Sequence, residues 1–220
     1  MVRDGYYYGF VLLGAAVLVG WLTSPLWAAI PVLLAAFFLW FFRDPERTVP
    51  TGPGVVVAPA DGKVTAVSPA TLNGKEFTRI SIFLNVFNVH VNRSPMDGVV
   101  RSAKYQTGKF LNAMNPACAD LNEQNTVTVE GEGHTIVFKQ IAGLLARRVV
   151  FTKKVGDTVQ RGERIGLMKF SSRMDVFLDR SASIRVKVGD HVKGGSSTLA
   201  FLAAEHPELA ASVSQKQRSH

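Results

Sequence analysis

Two glycines followed by two serines, in Lys193-Gly194-Gly195-Ser196-Ser197-Thr198, form the stretch of this chain best equipped for chemistry. A glycine has no Cβ, so its carbonyl lies open to the hydroxyl of a following serine, and a Gly-Ser bond in a tight turn is a place where a chain can cut itself. By composition alone the stretch is a Gly/Ser-rich loop. An internal near-copy separates the two readings. The segment Val155-Gly156-Asp157-Thr158-Val159-Gln160-Arg161-Gly162-Glu163-Arg164-Ile165 returns 33 residues later as Val188-Gly189-Asp190-His191-Val192-Lys193-Gly194-Gly195-Ser196-Ser197-Thr198. Aligned without gaps, Gly162 falls on Gly195 and Glu163 on Ser196, so one copy reads as a structural turn and the other as a chemical one.

The remaining reactive side chains are sparse. His90 stands on an alternating Val89-His90-Val91 run, His134 follows a Gly-Glu-Gly turn, His191 takes the place of Thr158 in the repeat, and His206 and His220 lie in the tail. There is no HxH or HxxxH pair and no cysteine cluster, so no metal site is expected. Asp61, in Ala60-Asp61-Gly62, reads first as a turn former. The single cysteine, Cys118, excludes an intrachain disulfide, agrees with a reducing compartment, and reads as an inert core thiol.

These residues sit behind a long apolar segment. From Gly5 to Phe42 there is no Asp, Glu, Lys or Arg, and Thr23-Ser24-Pro25 divides the segment into two runs of 17 residues, Tyr6 to Leu22 and Leu26 to Phe42. Each is close to the shortest length that spans a bilayer, which predicts a transmembrane helical hairpin over residues 1–47. A cleavable signal peptide is the alternative, but no small-residue cleavage site follows the second run. Arg3 flanks one end and Arg43 with Arg47 the other, so the positive-inside tendency puts both termini and the rest of the chain on the cytoplasmic side of the cell (inner) membrane. The formal charge of +8 lies mostly outside the hairpin and suits an anionic lipid surface. No zinc knuckle, RNP-like aromatic motif or long basic run points to nucleic acid.

Residues 48–204 read as a β-dominated domain with one or two short helices, ahead of a polar tail over 205–220. Strands are predicted over Gly54–Pro59, Gly62–Val67, Phe77–Phe83, Val99–Tyr105, Thr126–Glu130, Thr135–Ile141 and Arg148–Phe151, with Asp61-Gly62, Asn73-Gly74, Asp97-Gly98 and Gly131-Glu132-Gly133 as turns. A helix is predicted over Gly108–Asp120, disturbed by Pro116. The repeat and Ala58-Pro59-Ala60-Asp61-Gly62-Lys63-Val64 resemble the biotinyl/lipoyl carrier barrel, an antiparallel barrel or sandwich. In that reading Lys169, in Gly166-Leu167-Met168-Lys169-Phe170, is the modified lysine. Against it, no acidic residue precedes the motif and Phe170 replaces the second methionine.

A second resemblance covers about residues 41–202. Phe42-Arg43-Asp44-Pro45-Glu46-Arg47, Ala58-Pro59-Ala60-Asp61-Gly62-Lys63-Val64, Asn88-Val89-His90-Val91-Asn92-Arg93-Ser94-Pro95, Gly108-Lys109-Phe110 with Asn122-Glu123, Ala142-Gly143 with Ala146-Arg147-Arg148, and Gly195-Ser196-Ser197, in this order, resemble the short form of the phosphatidylserine decarboxylases. The resemblance implies a proenzyme that cuts itself between Gly195 and Ser196 into a β chain, 1–195, and an α chain, 196–220, with Ser196 becoming a pyruvoyl group. Neither pyridoxal phosphate nor a metal is then needed. It implies His90 as the base that activates Ser196 and Asp61 as the carboxylate that orients His90. It further implies a carboxy-lyase whose pyruvoyl ketone forms a Schiff base with the serine head group of a membrane phospholipid and releases carbon dioxide to leave phosphatidylethanolamine, with His90 as the later proton donor. Phosphatidyl and archaetidyl lipids share that head group. Arg147, Arg148 and Arg173 are candidates for its phosphate. Longer family members carry a second histidine, for substrate handling, where this chain has Phe87. A homodimer is the family-level expectation.

Overall fold

The computed structural model describes residues 2–115, 117–144, 148–169 and 172–203. Two apolar helices come first, α1 (Arg3–Leu22) and α2 (Pro25–Phe41). Thr23 ends α1, its hydroxyl donating to the Val19 carbonyl at 2.7 Å, and Pro25 begins α2 at a position where a missing N–H costs nothing. Small residues let the pair approach: Ala16 and Ala35 are buried, and Gly9 packs beneath Leu39. At the base, Val2 N–H donates to the Phe42 carbonyl at 3.1 Å and Tyr8 stacks on Phe38 and Phe42. α1 is long and apolar enough to cross a bilayer, and α2 is 17 residues long.

The rest is antiparallel sheet. β2 (Gly62–Leu72) and β3 (Lys75–Leu84) form a hairpin longer than its two predicted runs, closed at Asn73-Gly74, where both residues have positive φ as a two-residue hairpin turn demands. β5 (Gly98–Gln106), β6 (Gln124–Gly131) and β7 (His134–Ile141) form a meander, and β11 (Ser172–Asp179) joins it to the β2–β3 hairpin. With the short β9 (Thr158–Val159) and β13 (His191–Val192) at its edges, this is an eight-stranded sheet. Two three-stranded sheets close it: β1 (Val55–Val57), β14 (Thr198–Phe201) and β12 (Ser183–Ile184), and β4 (Val91–Arg93), β10 (Arg164–Met168) and β8 (Val149–Phe151). Ile80, Ile82, Phe138, Met174, Val176 and Leu178 of the large sheet meet Val56, Ile165, Met168 and Leu199 of the small ones in one core.

The internal copy is real in three dimensions and wider than the repeat in sequence. β13 pairs with the start of β2 as β9 pairs with the start of β5. β14 pairs with β1 as β10 pairs with β4. The halves also grip each other reciprocally, Val57 N–H donating to the Pro95 carbonyl at 2.9 Å and Arg93 N–H to the Pro59 carbonyl at 2.8 Å.

The gapless alignment of Glu163 with Ser196 does not survive. The Ser94 N–H donates to the Glu163 carbonyl, but its counterpart, the Ala58 N–H, donates to Ser197. The side chains agree: Gln160 N–H is capped by Glu163 Oε2 and the equivalent Lys193 N–H by Ser197 Oγ, at 2.8 and 2.9 Å. Glu163 therefore corresponds to Ser197, and Ser196 is an inserted residue.

The predicted helix over 108–120 shrinks to α3 (Cys118–Leu121). Asn112 and Asn115 cap the N–H groups of Met114 and Ala117, while Asn122 accepts from Leu111 N–H and donates to the Leu111 carbonyl. Such local side-chain bonds offer the backbone an alternative to the helix.

Candidate active site

The turn bearing Gly195 and Ser196 is held on all sides except at the Ser196 hydroxyl. Gly195 has φ +76°, a conformation that favours glycine, and its N–H donates to the Ala58 carbonyl at 2.8 Å. The N–H groups of Ser196 and Ser197 both donate to the Lys193 carbonyl, at 3.1 and 3.0 Å. Ser197 Oγ is occupied in capping Lys193 N–H, whereas Ser196 Oγ makes no hydrogen bond among the described residues. The half-buried Ser196 is thus the serine of the two with a hydroxyl free to act as a nucleophile on the Gly195 carbonyl.

Asp61 reaches this turn. Its Oδ1 accepts the Gly194 N–H at 2.8 Å, and both carboxylate oxygens accept from the Arg47 guanidinium, at 3.0 and 2.9 Å. Arg47 lies on the strap between α2 and β1. Asp44, earlier on that strap, pairs with Arg93 at 2.7 Å and also with Arg164. Arg93 in turn donates to the carbonyls of Gly162 and Pro45, and its Cδ packs against Gly195. The strap is thereby laced across the candidate cleavage turn.

His90 is 1% exposed, at the entry to β4, with its ring 4.3 Å from that of Phe41 at the end of α2. Burial, offset only in part by the backbone of Asn88, pushes its pKa down to about 4, so the imidazole is neutral near pH 7, as a base must be. Neither ring nitrogen is in a well-formed hydrogen bond. The structure brings Asp61 to the turn that bears Ser196, and no hydrogen bond joins His90 to either among the described residues.

The other candidates are scattered. Phe87 is 69% exposed at the tip of the β3–β4 connection, edge-on to Trp40, and its carbonyl accepts from Arg43 at 2.7 Å. Arg148 is exposed, and Arg147 lies outside the described residues. Arg173 is buried, donating to both oxygens of Asp175 and to Ser81, so its guanidinium is already engaged. Cys118 lies beside it, fully buried, with burial pushing the thiol pKa up, which keeps it protonated. Lys169 pairs with Asp4 of α1 at 2.6 Å. Of His206 and His220 nothing is described. Sequence reasoning missed Arg47, Asp44 and Arg93 as parts of the site, although all three stand in the motifs that carried the family resemblance.

Residues 34–200 match the family model for phosphatidylserine decarboxylase. The chain is 54% identical over 200 residues to the phosphatidylserine decarboxylase proenzyme of Solibacter usitatus, an alignment covering 91% of this chain and 96% of the relative. It is 43% identical over 180 residues to the proenzyme of the same name from Amoebophilus asiaticus, covering 80% of each chain. With that from Burkholderia mallei the identity is 44% over 184 residues, 82% of this chain and 83% of the relative.

Proposed function

Because the chain belongs to the phosphatidylserine decarboxylase family, we propose that it is a self-processing carboxy-lyase that removes carbon dioxide from the serine head group of a membrane phospholipid, leaving ethanolamine. The observation that carries this reading is the inserted Ser196, with its hydroxyl unbound behind the positive-φ Gly195.

The turn is suited to self-cleavage. Ser196 Oγ attacks the Gly195 carbonyl carbon and gives up its proton; the Gly195–Ser196 C–N bond breaks, the nitrogen is protonated, and an ester joins the two residues. Loss of the Ser196 Cα proton then breaks the Cβ–O bond, freeing Gly195 as the carboxylate of the β chain. Water replaces the nitrogen of the resulting dehydroalanine, releasing ammonia and leaving the pyruvoyl ketone at the head of the α chain. His90 is the proposed base and Asp61 its proposed carboxylate partner. In the uncut chain Asp61 accepts from Arg47 and Gly194 and His90 packs on Phe41, with no hydrogen bond between Asp61 and His90 among the described residues. The pyruvoyl group, once made, supplies the electron sink on which carbon dioxide departs. The neutral His90 imidazole is suited to hold the proton that the substrate carbon must afterwards receive.

The substrate reading includes the membrane. A diacyl lipid, at about 0.8 kcal/mol per buried methylene, is not lifted into water, so the site must work at the interface. In this reading α1 and α2 form a hairpin in the inner membrane, and the catalytic domain lies on the cytoplasmic side, in line with Arg3 and Arg43 at the helix ends. Trp40 and Phe87 would then mark the level of the head groups. Arg148 carries the phosphate proposal, since Arg173 is engaged with Asp175. The mature assembly is the cut β and α chains, as a homodimer.

Intact-mass measurement on purified protein tests this. Two chains are expected, the smaller starting at residue 196 with a blocked N-terminus. A single uncut chain that still decarboxylates would overturn the mechanism.

A further inference from the structure

The two halves of the internal copy hold their turns by the same device but assemble it differently. In the first half Asp97 Oδ1 accepts the Arg161 N–H at 2.9 Å, and Asp97 Oδ2 accepts from the Arg161 guanidinium at 3.1 Å, so the turn residue supplies both the amide and the cation. In the second half Asp61 takes the part of Asp97 and Gly194 that of Arg161, with its N–H on Asp61 Oδ1 at 2.8 Å. Gly194 has no side chain to offer, and a Cβ there would crowd the Ala60 carbonyl carbon at 3.2 Å. The cation for Asp61 comes instead from Arg47, outside the repeat, on the strap leaving α2.

We propose that Arg47 is a positioning residue for self-cleavage, its guanidinium holding the Asp61 carboxylate against the Gly194 amide and so fixing the geometry of the Gly195–Ser196 turn. This rests on the reading of Gly195–Ser196 as the scissile bond. The pair is nearly sealed from water, with side chains 10% and 13% exposed, unlike the solvent-screened pairs at Lys75 and Arg101. Taking Arg47 away leaves a largely buried carboxylate without its cation, next to the amide that anchors the turn. The strap also fixes Arg93, whose Cδ packs on Gly195, through Asp44 at 2.7 Å. The segment that joins the helices to the domain therefore sets the turn from both sides. The consequence is that maturation depends on the seating of this strap on the domain.

The test uses the full-length chain, synthesised in the presence of phospholipid nanodiscs, with the uncut fraction followed in time. Arg47→Ala is expected to slow cleavage by about 10- to 100-fold, the scale on which a misplaced reacting group costs rate. Arg47→Lys should recover part of that loss, and so should guanidinium ion added to the Arg47→Ala protein. Arg161→Ala, the same clamp in the copy that has no scissile bond, should stay within about twofold of the wild-type rate. Circular dichroism and thermal midpoints establish that the variants fold; should Arg47→Ala fail to fold, Arg47→Lys against Arg161→Ala makes the same comparison. Cleavage of Arg47→Ala at the wild-type rate, or an equal slowing by Arg161→Ala, overturns the proposal. A wild-type chain that stays uncut overturns the scissile-bond reading instead.

Discussion

The turns around Gly162 and Gly195 share a backbone and differ in what their side chains are free to do. Both glycines have φ +76°, and both donate their N–H to the facing half, Gly162 to Ser94 and Gly195 to Ala58, each at 2.8 Å. In the first turn the residue after the glycine is fully committed, Glu163 capping Gln160 N–H and pairing with Lys153. In the second, the capping task has passed to Ser197, and Ser196 is an extra residue whose side chain has no structural duty. A duplicated scaffold with a single insertion thus yields a serine positioned by its neighbours yet not consumed by them.

The largest effects should come from that insertion. Ser196→Ala should abolish both cleavage and decarboxylation. Deleting Ser196, which restores the register of the first turn, should give a folded chain that stays whole on a denaturing gel. Ser197→Ala should still cut, more slowly, having lost only a capping bond worth about 1 kcal/mol. Cleavage of the Ser196 deletion, or a whole chain from Ser197→Ala, would put the scissile bond one residue further on.

The next effects concern the base. His90→Ala and Asp61→Asn should each give a folded, uncut proenzyme by circular dichroism. With the folded His90 pKa pushed down from 6.5 to about 4, the imidazole stays unprotonated well into acid, so the cleavage rate should hold from pH 7.5 to about 5 and fall only near pH 4. Stability carries the same signature. An unfolded imidazole takes up a proton near pH 6.5 that the folded one refuses until about 4, so the unfolded state binds more protons between those values. The contribution is complete above pH 6.5, drains away as pH falls toward 4, and amounts to roughly 3 kcal/mol at most. Denaturant titrations of wild type and His90→Gln across that window check it. A cleavage limb at pH 6.5, or parallel stability curves, would mean that His90 is solvated in the working state.

Much of this was legible in the sequence where one physical signal dominated. The uncharged stretch from Gly5 to Phe42 appears as two helices, and the Asn73-Gly74 turn as a tight hairpin. Other features hid because two signals competed. β11 carries Arg173 and Asp175 on one face and Met174, Val176 and Leu178 on the other, and only the pairing of the charged face inside the protein makes both sides compatible with a central strand. The residues over 108–120 read as a helix, but Asn112, Asn115 and Asn122 spend their side chains on local turns. At the candidate site, the motifs of Asp61 and of Gly195-Ser196 stand out in the sequence, and the structure brings them to one turn. The insertion was not legible, since a gapless repeat gives no sign that the hydrogen bonds shift by one residue.

The smallest effect on the two turns should come from removing the helices without the strap. Deleting residues 1–40 spares Phe41, which covers His90, and both Asp44 and Arg47, which hold Arg93 and Asp61. Self-cleavage should therefore persist within a few-fold of the full chain, because both turns and their clamps lie beyond the deletion. Turnover should instead divide by how the lipid is presented. A short-chain, water-soluble phosphatidylserine should be nearly unaffected, while substrate in vesicles should be turned over far more slowly. The basic domain can replace the anchor only through attraction to anionic lipid, at about 1 kcal/mol per Lys or Arg near the surface, and that attraction is screened by salt. Residual vesicle activity should accordingly fall further as salt rises. Full vesicle activity of the truncated protein in high salt would assign the helices to assembly rather than access, and loss of cleavage would show that the strap cannot hold the second turn unless the helices hold the strap.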